Sequence, residues 1–336
     1  MATFPSGSDP AKAASRDRKQ SSRRFAGNRG LRCHELSVVF DSGRRAVASR
    51  TAVDNVCFTV DQPSIVALVG PSGCGKTTLI RTLAGLQSPT SGSVAHFTDP
   101  SAPAAEEPRN ETEGTRDDAT EQRRLDDGEI GFVFQQPSLL PWLSAGENVA
   151  LPLKIIHDSA DRDRRVHDLL KEVQLPDAAD LLPRQMSGGM QMRVALARAL
   201  VTEPTFLLLD EPFAALDQWL RDRMGQLLID LWRRHRFIAV LVTHNISEAI
   251  DLAHRILVMD RGRIVLDRTN EFSLSSNEEN SPTQSSRDAA TNAWADDDFE
   301  IKRRLLWRQI ASAIAGDESV ADEAEMKSES KIAKHP

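Results

Sequence analysis

From Cys33 onward, short apolar runs alternate with longer stretches in which hydrophobic positions recur every three or four residues. The runs CHELSVVF, NVCFTV and SIVALVG are brief, β-branched and apolar, as strands are. LLLD and FIAVLVTH are almost continuously apolar, the pattern of parallel strands covered on both faces. Between them the spacing predicts helices over 76–86, 145–155, 162–174, 188–203, 217–235 and 246–253. Strands alternating with helices in this way specify an α/β domain built on a largely parallel central sheet.

That domain is expected over residues 31–268. Residues 1–30 are rich in Ser, Arg, Lys and Ala without hydrophobic period and read as a disordered basic tail. A contact with nucleic acid or lipid is the rival reading. Residues 98–128 are polar, acidic and rich in Pro, Thr and Ala, which marks a disordered insertion that decorates the domain. A second polar stretch, 269–298, reads as a linker, and 316–336 as a disordered tail. Between these two lies a predicted helix, 299–315, with Phe299, Leu306, Ile310 and Ile314 near one face. Its basic cluster of Lys302, Arg303, Arg304 and Arg308 suits an anionic membrane surface. Docking of the apolar face on the protein body or on a partner is the alternative.

Composition narrows the function classes. The 336 residues carry a formal net charge of −7, which argues against a protein whose main task is gripping nucleic acid. Cys33, Cys57 and Cys74 make no Cys-x-x-Cys spacing and no paired framework, so a reducing compartment is expected. Basic residues at the N-terminus are not followed by an apolar segment of the kind a secretory signal needs. No apolar stretch reaches the roughly 18 residues of a spanning helix. Work at a membrane therefore calls for a partner that supplies the span.

The chemistry begins at Gly70-Pro71-Ser72-Gly73-Cys74-Gly75-Lys76-Thr77-Thr78, a G-x-x-x-x-G-K-[ST] run between the strand SIVALV and a helical pattern. Gly70, Gly73 and Gly75 let the backbone curl so that successive N–H groups face an anion, and the helix adds its positive N-terminal end. Lys76 is placed to meet the β- and γ-phosphates of a nucleotide, and the Thr77 hydroxyl to hold Mg²⁺. Downstream, LLLD ends in Asp210-Glu211. A carboxylate at that strand tip reaches the Mg²⁺ shell, which assigns Asp210 to the metal; Glu211, pointing elsewhere, is the candidate for polarising the attacking water. Capping of the next helix is the competing use of these acids. His244 ends FIAVLVTH and reads either as a structural histidine or as a γ-phosphate contact, the second favoured by its position at a strand end.

Together with Ser187-Gly188-Gly189 and Ala215-Leu216-Asp217, these residues resemble the ATP-binding cassette (ABC) family from about Cys33 to Asp267. The resemblance implies a P-loop NTPase nucleotide-binding domain with a mostly parallel core sheet, an antiparallel β subdomain and a helical subdomain. It implies ATP and Mg²⁺ as cofactors, with Gln135 as the Q-loop residue that senses the γ-phosphate and joins the metal shell. Phe40 stands where the family places a ring against adenine, and Asp217 belongs to the D-loop. Two cassettes would close head to tail, Ser187-Gly188-Gly189 of one reaching the γ-phosphate held by Lys76 of the other.

The signature segment departs from the family's usual LSGGQ: it reads Met186-Ser-Gly-Gly-Met190, with Gln191 next. This variant, with QQPSLLPWLSAGENVALPL (135–153), resembles importers for nitrate, sulfonates and taurine. That likeness implies transmembrane permease subunits as partners, a substrate-binding protein acting through them, and a peripheral place on the cytoplasmic face of the inner membrane. Leu139, Leu140 and Trp142 are candidates for the permease contact, with ordinary core packing as the alternative. An exporter or lipid-transport ATPase would carry much the same cassette. A DNA-repair type would carry a long coiled coil between Lys76 and Ser187, where no sustained heptads occur. A ribosome-acting type would carry two cassettes.

Overall fold

In the computed structural model, residues 29–40, 49–97, 128–272 and 293–315 are described. The predicted tails, the predicted insertion and the middle of the predicted linker, over 1–28, 98–127, 273–292 and 316–336, lie outside the described residues.

Three strands form a small antiparallel sheet: β1 (Gly30–Phe40), β2 (Arg50–Val60) and β4 (Ser91–Phe97), in the order β2-β1-β4. The large sheet takes β3 (Ile65–Val69), β5 (Ile130–Val133), β6 (Phe206–Asp210), β7 (Ile238–Thr243), β8 (Arg255–Asp260) and β9 (Arg263–Thr269). Its order is β5-β6-β7-β3-β8-β9, parallel throughout except for the β8–β9 hairpin. β4, β5, β8 and β9 were not among the predicted strands. Their apolar runs are short or, as in β9, mostly exposed, so periodicity alone carries little signal.

Alternation along the central strands creates two cores. Ile65, Ala67 and Val69 of β3, with Leu207 and Leu209 of β6, face the helical side. Val66, Leu68, Phe206 and Leu208 face the small sheet. A period of two turns successive side chains to opposite faces, so strands buried on both sides must be apolar at every position. Helix α1 (Lys76–Leu83) lies against β6, β7 and β2, contributing Leu79, Ile80 and Leu83 to the second core. The helical side carries α2 (Ala145–Ile155), α3 (Arg162–Glu172), α4 (Gly188–Leu200), α5 (Gln218–His235) and α6 (Ile246–Leu252). The predicted helices are thus present, several ending two or three residues early.

The domain limits shift slightly. Arg29 hydrogen-bonds Thr205 Oγ1 at 2.7 Å and pairs with Glu129, so the body begins ahead of residue 31. At the other end Asn270 is buried and donates to the carbonyls of Ile250 and Ala253, tying 269–272 to the domain rather than to a linker. The last helix, α7 (Ala293–Ala315), starts six residues before the predicted Phe299. It lies against α6, β8 and β9. Leu306 and Ile310 enter the helical-side core, Ile314 packs against it, and Arg303 pairs with Asp251 of α6. Of the two readings of its apolar face, docking on the protein's own body holds.

Candidate functional site

Between β3 and α1 the chain makes a tight loop, and each glycine in it has a distinct reason. Gly73 (φ 80°) and Gly75 (φ 112°) occupy the left-handed region that favours glycine. Gly70 does not; there a Cβ would lie 2.1 Å from the Met259 carbonyl oxygen, so close packing on β8 demands glycine rather than curling. Cys74 is buried beneath the loop, and that burial raises its thiol pKa. The loop opens onto a cleft of about 360 Å³ lined by Ser72, Gly73, Gly75, Lys76, Thr77 and Thr78, with Phe40, Arg50, Ala52, Gln135 and Glu211 completing the wall.

Lys76 is only 4 % exposed, and its ammonium donates to the carbonyls of Gly70 (2.8 Å) and Pro71 (2.9 Å). Thr77 Oγ1 donates to Asp210 Oδ1 at 3.1 Å, joining the start of α1 to the tip of β6. Burial pushes the Asp210 carboxyl above its ordinary range, while the Thr77 hydrogen bond and nearby Arg81 act against that. A hydroxyl and a carboxylate side by side, with the Gln135 amide on the same cleft, form a hard-oxygen donor set that suits Mg²⁺.

Glu211, one residue past β6, has a left-handed backbone (φ 48°), uncommon for a residue with a Cβ. That turn separates its carboxylate from that of Asp210 and directs it to the cleft. There Glu211 Oε2 lies 3.3 Å from His244 Nδ1. Behind His244, Thr243 donates to the buried Glu248 carboxylate at 3.0 Å, and Asn245 caps α6 through the N–H groups of Ser247 and Glu248. The strand-end residues singled out in the sequence thus meet at one place.

Another group does not join them. Ser187 caps α4 by accepting from the Met190 N–H at 3.3 Å, and Asp217 caps α5 by accepting from Leu220 at 2.9 Å. Neither they nor Gly188 and Gly189 line the cleft. A Cβ on Gly188 would meet nothing within 4 Å, so this glycine faces open space. One on Gly189 would press within 2.8 Å of Leu220, so the signature segment packs on the first turn of α5, which Asp217 caps. Gln191 does not replace the missing signature glutamine: its amide donates to the carbonyls of Pro183 and Met186, bracing the preceding turn. Met190 packs against the core.

Past Gln135, Trp142 is 70 % exposed whereas Leu139 packs against the helical-side core. Core packing thus holds for Leu139 and not for Trp142. The shape of this segment depends on residues the sequence reading passed over. Asn148, fully buried, bonds the backbone of Leu140, Leu143 and Ser144, and Arg198 donates to the carbonyls of Pro137 and Ser138. Arg50 and Ala52 were likewise unforeseen, because a strand start carries no motif.

The family model described as "ABC transporter" matches residues 53–214. The probable sulfate/thiosulfate import ATP-binding protein CysA of Chlorella vulgaris is 43% identical over 231 residues, covering 68% of this chain and 90% of that protein. The aliphatic sulfonates import ATP-binding protein SsuB 1 of Mesorhizobium japonicum is 42% identical over 234 residues, covering 67% and 79%. Among solved structures, the dimeric post-hydrolysis state of the ATP-binding cassette MJ0796 bound to ADP and Pi aligns at 30% identity with a TM-score of 0.57, covering 71% of this chain and 98% of that one.

Proposed function

Because this chain belongs to the ABC transporter family, we propose that it is the ATPase subunit of an importer for sulfonate- or sulfate-type anions. The observation that carries the reading is the convergence of Lys76, Thr77 and Glu211 on one cleft, with Asp210 bonded to Thr77 and His244 beside Glu211.

ATP hydrolysis needs little covalent chemistry from the protein; positioning and charge stabilisation carry it. Adenine stacks on the half-exposed Phe40 ring. The phosphates lie on the N–H groups of Gly73 to Thr78, and Lys76 leaves its carbonyl acceptors for the more strongly accepting phosphate oxygens. Thr77 and Asp210, with Gln135, would hold Mg²⁺, which would supply positive charge against the phosphates. Glu211 orients and polarises a water toward the γ-phosphate, and His244 is positioned by Glu211 to hold that phosphate.

Ser187, Gly188 and Gly189 act on a second copy. An open, side-chain-capped helix start away from its own cleft suits the γ-phosphate of a partner cassette. The dimeric structures of the cassette MJ0796 support the pairing of two copies. The exposed Trp142 is the apolar group offered to a permease, and that contact would set the subunit at the cytoplasmic face of the membrane. No helix among the described residues is long and apolar enough to cross a membrane, consistent with a separate permease supplying the span. The names of the relatives favour sulfur oxyanions over nitrate.

Affinity capture of the tagged protein from gently solubilised membranes with Mg-ATP tests this reading. A multi-span permease is expected, and its reconstituted complex should hydrolyse ATP faster when its binding protein carries an alkanesulfonate or sulfate. Capture of ribosomal or DNA-associated proteins instead would overturn the importer.

A further inference from the structure

Two cations line the cleft, and both rest on carbonyls of the same loop. Lys76 donates to Gly70 and Pro71, and Arg50 Nη2 donates to the Gly73 carbonyl at 3.2 Å. Arg50 is exposed, opens β2, and forms no ion pair with any described residue. In the β1–β2 ladder it is the direct partner of Phe40. Residues directly opposite on neighbouring antiparallel strands share a face of the sheet. The guanidinium therefore lies between the ring that would take a base and the loop that would take the phosphates.

A neutral carbonyl is a poor final partner for a guanidinium. Phosphate oxygens accept from it in a charge-assisted, often bidentate bond about twice as strong. A nucleotide stacked on Phe40 with its phosphates over Lys76 runs its phosphate chain past Arg50. We propose that Arg50 is a nucleotide-contacting residue that leaves the Gly73 carbonyl to hold the phosphate chain from the β2 side of the cleft. This deepens the ATPase reading and rests on it.

Calorimetric titration of the full-length protein with ATP, ADP and adenosine separates the possibilities, comparing wild type with Arg50→Ala, Arg50→Lys and Arg50→Gln. Arg50→Ala is expected to weaken ATP and ADP about tenfold, leave adenosine unchanged, and lose more of its effect as salt rises. Arg50→Lys should recover part of the affinity. Arg50→Gln keeps a neutral donor for the Gly73 carbonyl and should behave like Arg50→Ala. Full recovery with Gln would mean that Arg50 only braces the loop, and equal loss for adenosine that it acts on the ring site; either overturns the proposal. Wild-type ATP affinity in Arg50→Ala overturns it too, whereas a wild-type protein that binds no ATP would refute the ATPase reading itself.

Discussion

His244 Nδ1 stands 3.3 Å from Glu211 Oε2, although the two residues leave different strands of the large sheet. β6 and β7 are direct neighbours in that sheet, and the Glu211 N–H donates to the Val242 carbonyl at 3.1 Å. The strand register therefore fixes the approach of the acid that would polarise water to the imidazole that would hold the γ-phosphate. Replacing His244 with Ala removes the phosphate contact and leaves Glu211 unsupported. Steady-state ATPase assays are expected to show kcat down about a hundredfold or more, with nucleotide affinity within a few-fold of wild type. Unchanged kcat would remove His244 from the reaction.

The Thr77–Asp210 pair makes a separate statement about metal. Asp210→Asn keeps the hydrogen bond to Thr77 but removes the charge. ATP binding in EDTA is expected to match wild type, while the Mg²⁺ concentration for half-maximal turnover rises at least tenfold. An unaltered Mg²⁺ dependence would separate Asp210 from the metal.

Glu248 imposes a pH dependence on stability. Burial pushes its carboxyl up to about 7 from an ordinary 4.5, against the Thr243 hydrogen bond and Arg221, with Glu211 and Asp251 adding to the rise. Between those two values the folded protein holds the proton more tightly than the unfolded chain, so stability declines as pH rises through the interval. Above about 7 no further loss arises from this residue. Glu248→Gln removes this titrating carboxyl: its Tm relative to wild type is expected to climb by several degrees between pH 5 and 8. A constant difference across that range would contradict the assignment.

Helix α7 is part of the body through Leu306 and Ile310. Ile310→Ala is expected to cost about 2–5 kcal/mol in urea unfolding, whereas Arg308→Ala, on the exposed face, should cost less than about 0.5 kcal/mol. Equal effects would mean that the helix does not dock as described.

Much of the fold and site was legible because its signals are local. The glycine spacing around Lys76 follows from backbone constraint, and the unbroken apolar runs of β3, β6 and β7 follow from burial on both faces. Their strand ends then placed Asp210, Glu211 and His244 without further information. What escaped depends on tertiary approach. Arg50 matters because β2 pairs with β1 at Phe40, and Gly70 because β8 passes close by. Asn148 reads as an ordinary helix residue until its four hydrogen bonds to the 140–144 turn are visible. β9 was missed for the opposite reason: most of it faces solvent, so it carries little hydrophobic pattern.

Everything assigned to the cleft converges on Glu211 as the group that turns bound ATP into product. The decisive measurement pairs steady-state ATPase rate with sedimentation velocity for Glu211→Gln. Turnover is expected to fall to background while Mg-ATP converts the variant from monomer to a stable dimer, and adding Gly188→Arg should abolish that dimer. Wild-type turnover by Glu211→Gln, or a nucleotide-loaded variant that stays monomeric, would contradict hydrolysis at a site shared between two copies.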